Sequence, residues 1–277
     1  GVSLSLDGTI HINFYTKLND SVKKAVLSGP YYEEEITDFQ KVQGGAFIGY
    51  TKLSYAVNAT QRTDKVSLKL YDKDGNLLDI YNSSLQKVPG SVIRYSVKDY
   101  FESYTGEARA YDWEALTEER NTLVEWLERY MKAAENYFLG KTHTILPENY
   151  TPRTFDFVNE IKSAYKLGMV LNSGTDLLIY TDADRVVLSE SPNDVDLEKY
   201  TDKDGRSCFI IRNIPASKTV DTQEIRINGE SYYVCPRDYC YYAIQQCEEG
   251  DATWDLMWAF YEYSKAAEYY TFDCTDD

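Results

Sequence analysis

The chain has two histidines, His11 and His143, to serve as ordinary general bases near neutral pH. A nucleophilic site needs a Ser or Cys held beside such a base. His11 falls in a strand-like run, and His143 lies in a polar segment far in sequence from every cysteine. No Gly-x-Ser-x-Gly elbow frames a serine, so both read as surface histidines. Paired carboxylates could hydrolyse a glycoside, but among 45 acidic residues close pairs arise by chance. Glu33-Glu34-Glu35 and Glu118-Glu119 read as solvated faces. Asp72-Lys73-Asp74-Gly75-Asn76 and Asp202-Lys203-Asp204-Gly205 suggest calcium, yet Gly stands fourth rather than sixth and the closing Glu is missing. They read as turns, with weak surface calcium binding as the alternative. Gly44-Gly45 lacks the lysine of a phosphate loop.

Cys208, Cys235, Cys240, Cys247 and Cys274 all lie in the second half and are odd in number, so a disulfide framework is not expected. No close Cys-x-x-Cys pair offers zinc a site. These residues read as ordinary buried or loop thiols. The expectation is a chain without metal or cofactor that is not an enzyme.

The elements that must position any site are written twice. Leu123, Tyr130, Lys132, Ala133, Ala134, Glu135 and Tyr137 each find the same residue type 133 positions later, from Leu256 to Tyr270. The match extends backwards. Leu6–Thr16 aligns to Leu171–Thr181 at an offset of 165, and Asn58–Asp64 to Pro215–Asp221 at 157. Lys98-Asp99-Tyr100 aligns to Arg237-Asp238-Tyr239 at 139. An internal repeat of this length is settled before local motifs are read. Turn-prone pairs before strand-like runs predict hairpins, and Asn228-Gly229 is a strong two-residue turn signal. Leu123, Leu127, Tyr130, Ala134 and Tyr137 recur at helical spacing and predict one apolar face, as do Leu256, Phe260, Tyr263, Ala267 and Tyr270. Pro236 opens a shorter helix over roughly 236–247, and Phe155–Leu167 adds a further helix.

Strands followed by helices predict an α+β fold. It consists of two tandem homologous modules, each an antiparallel sheet or small sandwich followed by a short helix and a long C-terminal amphipathic helix. The first module spans 1–140 and carries an extra β arm; 141–154 is a linker; the shorter, cysteine-containing module spans 155–277. A length of 277 residues fits two domains. A net charge of −16 disfavours nucleic acid and anionic membranes. No run approaches a membrane span. The start at Gly1 reads as a processed or trimmed end.

SLSLDGTIHINFY, NATQRTDKVSLKLYDKDGN, YSVKDY and LVEWLERYMKAAENYF resemble a module of large secreted or surface-attached proteins of gut clostridial bacteria. There it occurs as a duplicated unit, often beside catalytic, repeat or anchoring domains. The resemblance covers most of both halves and carries no site residues. It implies an extracellular, accessory and non-catalytic role as a spacer, adhesion or protein-interaction unit. Its partners would be other domains of the same protein, a glycan, or a host or bacterial surface protein.

The alternative is a carbohydrate-binding module, for which exposed aromatic faces are the signal; the third reading, behind both, is an enzyme of unrecognised type, for which a deep pocket with convergent polar groups would be the signal. Most of the 26 tyrosines sit where the repeat assigns them to architecture. The remaining candidates lie in segments that one copy lacks: Tyr31 and Tyr32 after Gly29-Pro30, and Tyr111 and Trp113.

Overall fold

In Val66–Tyr71 the side chains of Val66, Leu68 and Leu70 are buried and those between them lie partly open, and Thr51–Ala56 repeats the pattern. A period of two is what a sheet with one covered face demands. The structure, a computed structural model, describes residues 1–6, 8–82, 84–105, 118–155, 158–189 and 193–273. Among them are 15 strands in four antiparallel sheets and four α-helices, the α+β class that the order of elements predicts. By contacts the chain forms two compact units.

Unit 1 comprises residues 1–6, 10–57 and 61–112. It holds β1 (Val2–Ser5), β2 (His11–Thr16), β3 (Lys24–Ser28), β4 (Glu33–Ile36), β5 (Thr51–Ala56), β6 (Val66–Tyr71), β7 (Ile93–Tyr95) and α1 (Val97–Thr105). One sheet has the order β1-β2-β5 and the other β4-β3-β6-β7. Ile12, Phe14, Leu53 and Tyr55 of the first sheet and Ala25, Leu27 and Leu68 of the second are almost wholly buried. β4 lies at an edge, and its exposed Glu33, Glu34 and Glu35 guard that edge against further strand pairing. Between β6 and β7 the arm turns twice on the same device. Asp72 accepts the Asp74 and Asn76 N–H groups at 2.9 and 2.8 Å, and Asn82 accepts those of Ser84 and Gln86 at 3.0 and 2.9 Å. These are Asx turns. Asp99 accepts the Ser96 N–H at 2.7 Å and donates its own N–H to the Ser96 hydroxyl at 3.2 Å, capping α1.

Unit 2 comprises residues 113–277 with the short segments 7–9 and 58–60. It holds α2 (Glu118–Leu139), β8 (Lys166–Leu171), β9 (Thr175–Tyr180), β10 (Val186–Leu188), β11 (Val195–Asp196), β12 (Glu198–Thr201), β13 (Ser207–Ile214), β14 (Gln223–Ile227), β15 (Glu230–Val234), α3 (Pro236–Ile244) and α4 (Ala252–Asp273). The sheet orders are β12-β13-β9-β8 and β11-β10-β14-β15. One buried cluster draws on both, with Leu177, Ile179, Phe209 and Ile211 from the first and Val186, Ile225, Ile227 and Val234 from the second. Asn228 and Gly229, at φ of 53° and 85°, join Ile227 to its partner Glu230, a type I′ hairpin. Asp238 accepts the Cys235 N–H at 2.8 Å, and Pro236 opens α3. Tyr130 of α2 stacks on Tyr263 of α4 at 5.4 Å between centroids, with Phe260 also at 5.4 Å. No helix among the described residues is long and apolar enough to cross a membrane.

Two expectations fail here. Residues 155–165 form no helix among the described positions. The apolar residues of this stretch serve different neighbours. Phe155 stacks on Tyr261 at 4.3 Å, while Ile161, Ala164 and Tyr165 join the core between the sheets. Asn159 is pulled to Asp238, to which its N–H and side-chain amide donate at 2.8 and 2.9 Å. Tyr137, placed on the apolar face of its helix, is 47% exposed, because the packed stripe of α2 ends one turn earlier at Ala134.

Candidate functional site

The loop after β3 is shaped by one close approach. A Cβ on Gly29 would collide with the Tyr55 hydroxyl, so only glycine lets that hydroxyl reach the loop. There it donates to the Tyr32 carbonyl at 3.0 Å, which also accepts the Gly29 N–H at 3.1 Å. Burial pushes the Tyr55 phenol up to about 12, so it remains a donor at any physiological pH. The Tyr32 ring lies on the Tyr55 ring at 4.2 Å, with the planes 7° apart. Its hydroxyl donates to the Ala56 carbonyl and accepts the Ala56 N–H, both at 3.0 Å. Burial chiefly raises this phenol as well, the bond to Ala56 opposing it and the Glu34 charge adding to it.

Of the four aromatic residues singled out in the sequence, the chain neighbours Tyr31 and Tyr32 have different surroundings. Tyr32 is a clamp between the loop and β5, with one ring face on Tyr55 and 42% of its surface still open. Tyr31 is 69% exposed. A partly exposed ring fixed by stacking and two hydrogen bonds, with the Glu34 charge acting on it, offers apolar surface to a sugar face or another aromatic ring. Tyr111 and Trp113 lie outside the described residues. Sequence reasoning marked Gly29 but missed Tyr55 and Ala56. The alternation along β5 signals that Tyr55 points inward, but nothing local says what it meets.

Unit 2 holds a second concentration of chemistry. Glu262 of α4 is 2% exposed, accepts the Tyr150 hydroxyl at 2.9 Å and pairs with Arg153 at 3.2 Å. Burial lifts its carboxyl above the usual range, with Tyr150 and Arg153 only partly opposing it. Trp258, one helical turn earlier, meets Phe155 at 5.2 Å and Tyr150 at 6.2 Å. Its indole N–H is buried and has no hydrogen-bond partner among the described residues. Burial thus favours the protonated form of the Glu262 carboxyl, while the Tyr150 hydroxyl and the Arg153 guanidinium favour the ionised one. The carboxyl ties the segment 150–155 to α4.

His143 is not the surface histidine expected. Its Nε2 lies 2.7 Å from the wholly buried Glu135, which Lys141 also reaches at 3.0 Å. The cause is the end of α2. Gly140, at φ 66°, terminates the helix, and the Asn136 amide binds the His143 backbone twice at 2.8 Å. Asp202 spends its carboxylate on the Asp204 and Arg206 N–H groups, the Tyr180 hydroxyl and the Arg206 guanidinium, so the Asp202 segment is a turn. Burial would raise this carboxyl, but those bonds win and hold it at about 2. Cys208, Cys235 and Cys240 are buried free thiols. Burial and the adjacent Asp238 push Cys235 up to about 12, which suppresses the reactive thiolate.

No protein-family model matches the chain, and no curated protein is similar to it.

Proposed function

We propose that this chain is a non-catalytic extracellular accessory part of a larger secreted or surface-attached protein, built from two copies of one module and acting as a spacer, adhesion or protein-interaction unit. The duplication is supported by order. The sheets β1-β2-β5 and β4-β3-β6-β7 correspond, strand for strand in chain sequence, to β8-β9-β13 and β10 to β15 without β12 and β13, with β12 as an added edge. α1 and α3 stand at the offset of 139 read from the sequence, and each opens on a carboxylate three residues past its cap, Asp99 and Asp238.

One observation carries the non-catalytic reading. The buried carboxylates among the described residues, Glu135, Asp202, Asp238 and Glu262, are each engaged by groups of the chain itself. Acids arranged this way fasten turns, helix ends and connecting segments. The flanking gene sequence tests the accessory role. It should encode an anchoring, repeat or catalytic region in the same reading frame, and a frame confined to these residues contradicts it.

A second reading, a carbohydrate-binding module, is favoured by the fixed, partly open Tyr32 ring with the exposed Tyr31 next to it in the loop, because sugar faces stack on accessible aromatic rings. Labelled full chain on a glycan array at up to millimolar concentration is the test. Binding that Tyr31→Ala abolishes supports this reading, and no binding eliminates it in favour of a protein partner or spacer.

A further inference from the structure

We propose that the seam between α2 and α4 is an isologous interface, two equivalent surfaces paired with each other, so that the partner this helix face is built to receive is a second copy of the same module. The inference rests on the duplication proposed above and goes beyond it. Two copies could as well have joined through unlike surfaces.

Tyr130 and Tyr263 are equivalent at the offset of 133, and they stack on each other with their planes 5° apart. In a head-to-tail pairing a residue meets something other than its own counterpart. Only at a two-fold axis does it meet itself. A second contact within unit 2 has the same property. Thr9 and Gly174, equivalent at the offset of 165, form a single antiparallel bridge, a geometry that is itself two-fold symmetric.

The buried positions agree as well. Leu127 and Phe260 are equivalent and each about 1% exposed, and Met131 and Ser264 are equivalent and equally enclosed. Their sizes differ in opposite senses, with the larger side chain on α4 in the first pair and on α2 in the second. If equivalent positions share the space around the Tyr130–Tyr263 stack, drift at one must be offset in volume at the other, because a packed interior tolerates neither gaps nor excess. Ala133, Ala134, Ala266 and Ala267, all buried, keep both helices slim where they approach.

Reciprocal exchange in the full chain tests this by calorimetry. Leu127→Phe and Phe260→Leu are each expected to lower the melting temperature by several degrees, on the order of 5 °C. The double exchange hands each side chain to the symmetry-equivalent position and should return to within about 2 °C of the parent. Met131→Ser with Ser264→Met repeats the test at a second position if one of the first variants does not fold. Recovery in either double variant supports the isologous seam, and losses that simply add in both overturn it. Melting reads no ligand and no neighbouring domain, so this outcome and that of the accessory role are decided separately.

Discussion

Tyr31 and Tyr32 are neighbours in sequence with opposite consequences on mutation. Tyr32→Phe removes the acceptor of the Ala56 N–H and the donor to its carbonyl. It should cost about 1–3 kcal/mol in denaturant unfolding. Tyr31→Ala, at an exposed position, should stay within about 0.5 kcal/mol in the same measurement. Two carboxyls make opposite contributions to the pH profile. Asp202 is held at about 2 in the fold, so its contribution is complete above the ordinary aspartate value of 3.8 and is lost as pH falls through 2. Asp202→Asn should therefore melt lower at pH 7 and show a shallower loss below pH 4. Glu262 is raised, so the fold favours its protonated form and the position costs stability as pH climbs past 4.5. Glu262→Gln should melt higher than the parent at pH 7, with the gain gone in acid. A Gln variant that melts lower at pH 7 would show that Arg153 outweighs the burial.

Among the elements, what was legible in the sequence was what neighbours in the chain decide. The Asn228-Gly229 turn has the positive φ at both residues that its type demands. Gly229→Ala should cost about 1 kcal/mol by urea melt, since a side chain is strained at φ 85°. Pro236 opens α3, and the alternation in β5 and β6 falls where the pattern puts it. What was illegible depends on partners far along the chain. The stretch before β8 carries apolar residues in a helix-compatible number, but Phe155 and Tyr165 are claimed by different neighbours and Asn159 by Asp238. His143 looks exposed until the end of α2 folds the following residues back onto Glu135. The candidate platform was half legible. Gly29-Pro30 and two tyrosines marked the loop, while Tyr55, which holds it, is 23 positions from Tyr32 in sequence.

At the scale of the molecule, the proposed duplication assigns to the scaffold the features that recur at the repeat offsets: the hairpins, the helix caps and the α2–α4 stripe. Differences are where a role peculiar to this chain belongs, and the Tyr31–Tyr32 loop is one such place. Glu262, which stands opposite Arg129 at the helical offset, is another. The most direct test is a calorimetric comparison of Asp99→Asn and Asp238→Asn. If the matched carboxylates are scaffold, both variants melt below the parent. Asp238→Asn should lose more, about 3 kcal/mol, because it breaks bonds to Cys235 and Asn159 in a wholly buried place. If either variant melts at or above the parent temperature, the matched carboxylate is not holding its helix start in place, and that result would contradict the account.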